Sequence, residues 1–207
     1  MVKKNPFTKS VHYGISFAAF LAVSQMSFAS EYQVDPSHSN VDFEVRHLVS
    51  KVQGHFNQFE GKFTFDPKNP EASAVTAEVV VNSINTNEKK RDEHLKSEDF
   101  FASKKFPKMS FKSTKVTPDG EKKYKIMGDL TLHGVTKPVT FDAEYLGNSD
   151  DPWGMNRAGF LATAKINRKD FGMIWNKILD NGGYLLGDDV TIHLNIEGMT
   201  SKGSDKK

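Results

Sequence analysis

The side chains best suited to chemistry are the histidines and the paired carboxylates, and neither set is spaced for catalysis. No H-x-H pair and no H-E-x-x-H run occurs among the histidines, which are His12, His38, His47, His55, His94, His133 and His193. The chain has no cysteine, which excludes thiol chemistry and a cysteine-held metal. Adjacent acids such as Glu98 and Asp99 point to opposite faces of a strand and make a poor acid–base pair. Serine-hydrolase, phosphate-loop and dinucleotide motifs are absent as well. We therefore expect no catalytic residue, no metal site, no cofactor and no enzyme activity.

Three polar side chains could instead contact a bound molecule. His47 alternates with Phe43 and Val45 on one face of a predicted strand, so its imidazole should point inward near an end of the fold. A histidine satisfied by a backbone carbonyl at the rim is the alternative. Arg91 and His94 lie on a polar segment beside aromatic residues, where they could frame a cavity mouth. A solvated face with local ion pairs is the alternative for these two.

Period-two alternation of apolar and polar residues dominates the chain and predicts antiparallel strands with one buried face. The same alternation also allows a short ninth strand over 32–35. The eight principal strands are predicted over 39–47, 59–66, 74–81, 108–116, 123–133, 137–147, 158–168 and 188–198.

Two segments depart from this alternation and are interpreted as helical. The polar stretch 85–101 carries Asn85 and Glu88 at the spacing of a capping box, which predicts a short surface helix. The stretch 170–184 has helical i, i+3, i+4 spacing of its apolar residues, which are Phe171, Ile174, Trp175, Ile178 and Leu179.

Eight half-buried strands in one domain must stack as a sandwich or close as a barrel. Small residues on the apolar faces could leave room inside a barrel for one ligand. They could equally make room for neighbouring Phe rings or for the predicted Trp175 helix. These residues alone therefore leave open whether the interior is hollow or packed. The small residues are Gly61, Ala77, Ser113, Gly128, Ala143, Ala162 and Ala164.

The N-terminus has the features of a secretory signal peptide over 1–29. A basic start is followed by a short apolar run over 13–26 and by small residues before a cleavage point after Ala29. An uncleaved anchor is the alternative. All 26 acidic residues follow this segment, whereas three of the 28 basic ones lie in it. The mature chain therefore carries about −1 net charge, which predicts no nucleic-acid partner and no electrostatic attraction to membranes.

Several phrases resemble, in order and spacing, the YceI-like, polyisoprenoid-binding, lipocalin-like family. The match spans 32–198, and its one visible departure is Tyr32, where the family often has Trp. The phrases are VDPSHS at 34–39, VDFEVRHL at 41–48, GHF at 54–56, FEG at 59–61, RDEHL at 91–95, DFF at 99–101, FP at 106–107, LTLHGVTKPV at 130–139 and NRKDFG at 167–172.

The resemblance implies an all-β fold, an extended eight-stranded antiparallel lipocalin-like barrel with a short polar helix and a second helical segment near one end. It also implies a protein that acts in the periplasm or is secreted. The pattern along the chain itself predicts one domain over 30–200, and the small, charged residues over 201–207 predict a disordered tail. A long apolar tunnel would hold an amphiphilic lipid such as a polyprenyl phosphate, a quinone or a fatty amide. No stable membrane insertion follows signal cleavage, a homodimer is left open, and a role in lipid transport or stress response is implied.

The residues expected to line the tunnel combine inward Phe side chains with neighbours at the predicted ends. An ordinary packed core is the alternative for any single Phe. A lipid-modifying enzyme and a filled barrel that binds a protein partner are the alternative functions. The tunnel-lining set is Phe43, Val45, His47, Phe63, Phe65, Phe100, Phe111, Ile126, Phe141, Phe160 and Trp175, with His47, Arg91 and His94 as head-group contacts.

Overall fold

The fold is a sheet of eleven antiparallel strands with one α-helix in the described part of the chain, α1 over Lys89–Lys96. The structure, a computed structural model, describes residues 1, 30–180 and 182–200. The predicted signal peptide and the predicted tail lie outside these residues. The strands are β1 Ser30–Val34, β2 Asn40–His47, β3 Ser50–Phe56, β4 Phe59–Phe65, β5 Ala74–Val80, β6 Ile84–Asn85, β7 Lys108–Pro118, β8 Lys123–Leu132, β9 Val135–Asp150, β10 Asn156–Asn167 and β11 Leu186–Thr200.

Eight of the strands close into the predicted antiparallel barrel. The order β1-β4-β5-β7-β8-β9-β10-β11 returns to its start because β1 also pairs with β11, with Tyr32 opposite Thr200. The short additional strand over 32–35 thus corresponds to β1, which is one of the eight strands of the barrel. The remaining strands β2, β3 and β6 extend the sheet, and β2 pairs with the first part of β11. Sequence analysis omitted β3 and β6.

Aromatic rings fill the end of the barrel at which β1 meets β11. The centroid of the Phe65 ring lies 4.8 Å from that of Tyr145, 5.0 Å from Phe160 and 5.4 Å from Tyr124. Phe63 stacks on Tyr32 at 5.0 Å. Offset and edge-to-face contacts at such distances stabilise a core beyond simple burial. This end of the interior is therefore packed.

A charged clasp closes the seam between β1 and β11. The guanidinium of Arg157 donates to Asp35 at 2.8 Å, to Glu197 at 2.5 Å and to Asp151 at 2.9 Å. The Ser37 hydroxyl, Arg157 and His38 hold the pKa of the buried Asp35 carboxyl far below its usual value. The clasp joins residues that lie far apart in sequence, and alternation within single strands gave no indication of it.

The predicted helix over 170–184 is wrong. A 3₁₀ turn covers Arg168–Phe171 and ends at Gly172, whose φ of 79° is left-handed. The chain beyond it alternates, with Met173 buried and Ile174 exposed. The carbonyls of Met173 and Trp175 accept hydrogen bonds from the Arg168 guanidinium. In a helix they would accept from the N–H groups of Lys177 and Leu179, but those groups donate to Asn176 Oδ1 and to the carbonyl of Gly183.

The polar helix exists but is shorter than predicted, and its cap differs. Glu88 is the N-cap, and its carboxylate accepts hydrogen bonds from the backbone N–H groups of Lys90 and Arg91. Asn85, predicted to cap, instead accepts from the N–H of Asn87. Among the described residues, no helix combines the length and apolarity needed to cross a lipid bilayer.

Candidate functional site

The barrel encloses a cavity of about 420 Å³. Pockets that hold small molecules commonly measure roughly 300–1,000 Å³. All eleven residues predicted to line a tunnel contribute to its wall, together with Arg91 and His94. Their contact with a ligand stays a prediction. Nine of the eleven lie on the inward faces of strands, which alternation along the sequence makes visible, whereas Phe100 and Trp175 lie outside the strands.

Small side chains affect the interior in two different ways. Ala77, Ala143 and Ala162 lie on the cavity wall, where a larger side chain would take up space. At Gly128, by contrast, an added Cβ would lie 2.4 Å from Cζ of Phe111. The missing side chain therefore admits a ring at this position. Both interpretations of the small residues hold, at different positions.

Aromatic rings from two separate segments meet at the other end of the cavity, which we call the mouth. The His94 ring on α1 lies 5.0 Å from Phe100 and 4.9 Å from Trp175. Phe100 and Trp175 lie 5.2 Å apart. Phe171, which precedes Trp175 in the second segment, is 1% exposed and belongs to the core. Trp175 thus covers the cavity from the segment that follows the 3₁₀ turn.

The three head-group candidates have different surroundings. Among the described residues, the His47 imidazole has no hydrogen-bond partner, although it lies on the cavity wall. Arg91 donates to the side-chain oxygen of Thr86 at 2.8 Å and to its carbonyl at 2.7 Å. His94 Nε2 lies 2.8 Å from a carboxylate oxygen of Asp99. His47 is therefore the one of the three candidates whose side chain forms no hydrogen bond to another residue in the described part of the chain.

Arg168 is a structural residue of the site that sequence analysis missed. It is 3% exposed and lies on the cavity wall. Its guanidinium donates to the carbonyls of Met173 at 2.5 Å, Trp175 at 2.8 Å and Gly187 at 2.9 Å, and to Asp188 at 3.3 Å. These bonds fix the backbone that carries Trp175. Arg168 extends the inward register of the strand over 158–168, and that register was the signal for it.

The described residues include one group of three side chains with metal-binding atoms close together. Asp35, His38 and Glu197 place such atoms within 4.8 Å of one another. The Arg157 guanidinium donates to both carboxylates, so a positive charge already lies between them. The group is part of the seam at the packed end and does not line the cavity.

Comparison with known proteins agrees with this architecture. A model of the YceI-like domain matches residues 32–198. The chain is 42% identical over 192 residues to protein YceI of Salmonella agona, an alignment that covers 91% of this chain and 97% of that protein.

Two solved structures share the fold. The YceI protein of Campylobacter jejuni is 31% identical, with a TM-score of 0.67, 76% of this chain covered and 90% of that one. A polyisoprenoid binding domain from Saccharophagus degradans, with a TM-score of 0.55 over 83% of this chain and 99% of that one, is 12% identical and shows the fold alone. From the family match and the identity to protein YceI, we conclude that this chain belongs to the YceI-like family.

Proposed function

We propose that this protein binds an isoprenoid-type or other amphiphilic lipid in its barrel and carries or sequesters that lipid in the periplasm. The observation that carries the proposal is the cavity of about 420 Å³, which is walled by inward apolar side chains. An interior of this kind favours an apolar chain, because burial removes the chain from water.

The expected energetics suit a flexible lipid tail. Each buried methylene contributes about 0.8 kcal/mol, so ten of them contribute roughly 8 kcal/mol before the costs of association and ordering. Phe43, Phe111 and Phe141 supply ring faces and edges along the wall. Apolar contacts of this kind do not distinguish one hydrocarbon from another, so we expect the cavity to select lipid tails by their length and shape.

The polar end of the ligand would lie at the mouth. His47 offers a hydrogen-bonding imidazole without a protein partner, and Arg91 and His94 lie on the wall at the same end. At the opposite end the aromatic rings of Phe65, Tyr145 and Phe160 pack against one another, which makes the mouth the better place for a head group. An amphiphile would therefore enter tail first. The polyisoprenoid binding domain from S. degradans has a related fold, which supports an isoprenoid-type tail.

A matched pair of variants on β10 tests the proposal. Ala162 lines the cavity, whereas its neighbour Leu161 is 43% exposed on the outer face. Ala162→Trp should fill the interior, and Leu161→Trp should leave it unchanged. Protein purified from its own cell envelope would be examined by native mass spectrometry and organic extraction, with circular dichroism to establish that both variants fold.

We expect a bound lipid in the parent protein and in Leu161→Trp and its loss from folded Ala162→Trp. A parent protein that is reproducibly empty, or an Ala162→Trp variant with undiminished lipid, would contradict the proposal.

The periplasmic location is proposed from the N-terminal features over 1–29. Cell fractionation should recover the protein in the periplasmic fraction, and N-terminal sequencing of that material should begin at Ser30. Recovery only in the cytoplasm with an intact Met1 would refute the location without bearing on lipid binding.

A further inference from the structure

Large apolar side chains are exposed on two loops beside the cavity mouth. Val49 is fully exposed and Leu48 is 42% exposed in the turn between β2 and β3. Ile174, Ile178 and Tyr184 are 70%, 68% and 51% exposed on the segment that precedes β11. We call these five residues the apolar rim. Isolated exposed apolar residues are ordinary, but a group around one opening calls for a physical reason.

The apolar rim is continuous with the cavity wall. His47, Trp175 and Leu185 line the cavity, and each is followed or preceded directly in sequence by a rim residue. A hydrogen bond of 3.0 Å from the N–H of Leu48 to the carbonyl of Leu185 joins the two loops. A lipid chain could therefore pass from the rim into the cavity along a continuous apolar surface.

The exposure of Ile174 and Ile178 has no explanation in the barrel core. Helical spacing placed both on one apolar face with Phe171 and Trp175, whereas the extended backbone turns them outward. The backbone here is nevertheless held in place. Ile178 forms a β-bridge with Tyr184, and the N–H of Leu185 donates to the carbonyl of Lys177 at 2.9 Å. The side chains are thus presented outward by ordered backbone.

We propose that the apolar rim docks on the surface of a lipid bilayer and inserts its side chains among the lipids. This inference rests on the proposed function, because a lipid cavity that opens within the rim gives docking its purpose. Tyr184 and the basic Lys177 are suited to the interface, where aromatic rings and long cationic side chains lie at head-group level. The near-neutral predicted mature chain makes apolar insertion, rather than charge, the source of affinity.

Cosedimentation with phosphatidylcholine vesicles tests the proposal with the full mature protein. The double variant Ile174→Ser/Ile178→Ser removes two rim side chains that do not line the cavity. It should lower the partition coefficient about tenfold or more. The matched control is Trp153→Ser, because Trp153 is 67% exposed on the turn between β9 and β10, at the opposite end of the barrel. This control should bind vesicles like the parent, and 0.5 M salt should weaken binding little.

Three results would overturn the proposal. The first is a parent that does not sediment with vesicles, and the second is an equal loss in both variants. The third is a parent that dimerises through the rim, shown by sedimentation as a dimer that the double variant converts to a monomer without any vesicle binding. Native mass spectrometry of the same samples shows whether the protein carries a bound lipid. A protein that carries lipid but does not bind vesicles would refute the docking proposal and leave the proposed function intact.

Discussion

Replacing Arg168 with Met should release the segment that covers the cavity mouth. The side chain is 3% exposed, and its guanidinium donates to three backbone carbonyls and to Asp188. Burial lowers the pKa of this guanidinium from its usual value, and the carboxylate of Asp188 opposes that effect. An arginine nevertheless stays protonated in proteins. Met keeps much of the apolar stem and removes every donor.

The magnitude follows from the groups left without partners. Each buried carbonyl that loses its donor costs about 1–3 kcal/mol, although local opening toward water relieves part of this. The Asp188 carboxylate is 40% exposed and also pairs with Lys169, so the loss of the ion pair itself adds little. We therefore expect the free energy of unfolding to fall by roughly 3–5 kcal/mol. For a domain of this size the melting temperature should fall by roughly 6–20 °C.

The fluorescence of Trp175 reports the local consequence. The chain has two Trp residues, so a Trp153→Phe background leaves Trp175 as the only one. In that background Arg168→Met should shift the emission of Trp175 to the red and increase its quenching by acrylamide, because its contacts with His94 and Phe100 loosen.

Lys169→Met is the matched control for this prediction. Lys169 also pairs with Asp188, but its side chain is 40% exposed, so we expect a change within about 1 kcal/mol. An Arg168→Met protein with the parent's melting temperature and the parent's Trp175 quenching would show that these hydrogen bonds do not hold the segment.

Three further substitutions test the packing, the seam and the helix cap. Gly128→Ala should lower the free energy of unfolding by roughly 1–3 kcal/mol in a urea titration, because the new Cβ would lie 2.4 Å from Phe111. Asp35→Asn should lower the melting temperature at pH 7. Because the pKa of Asp35 is depressed in the folded state, its contribution is present above about pH 4 and is lost as the pH falls further, so the gap between variant and parent should narrow there. Glu88→Ala should cost about 1 kcal/mol by removing the N-cap, and hydrogen exchange should localise the loss to α1. The packing argument would be contradicted by an unchanged stability of Gly128→Ala. The argument for the seam would be contradicted if the difference in melting temperature between Asp35→Asn and the parent did not change with pH, and the argument for the cap by unchanged exchange in α1.

Alternation along the chain was sufficient to predict most of the strands and the inward positions of the wall. It works because a half-buried strand must place apolar residues at every second position. It missed β3, in which an inward position is the glycine Gly54. An added Cβ at Gly54 would lie 2.5 Å from Cζ of Phe43, so this glycine serves a neighbouring strand. Because Gly54 makes room for the Phe43 ring and is not itself apolar, it does not contribute to the alternation of apolar and polar residues.

The segment after β10 shows why helical spacing failed. Its apolar residues satisfy the i, i+3, i+4 pattern and a period of two at overlapping positions, with Phe171 and Met173 buried and Ile174 exposed. Arg168 stabilises the extended form, because it donates to the carbonyls of Met173 and Trp175 where that form places them. Such long-range partners of a side chain are known only once the chain is folded.

The pairing of β1 with β11 has a consequence for how the molecule is made. The first strand of the barrel pairs with β4 early in the chain, but its second partner is available only when the last strand is present, because Tyr32 also lies opposite Thr200 and Arg157 joins Asp35 to Glu197. Ring closure is thus among the most non-local steps available to the chain, and proteins rich in such contacts fold slowly, in roughly milliseconds to seconds. Until that step the apolar inner faces lie open to the solvent. The newly made polypeptide must therefore avoid aggregation throughout its synthesis, until β11 is present and the barrel can close around its cavity.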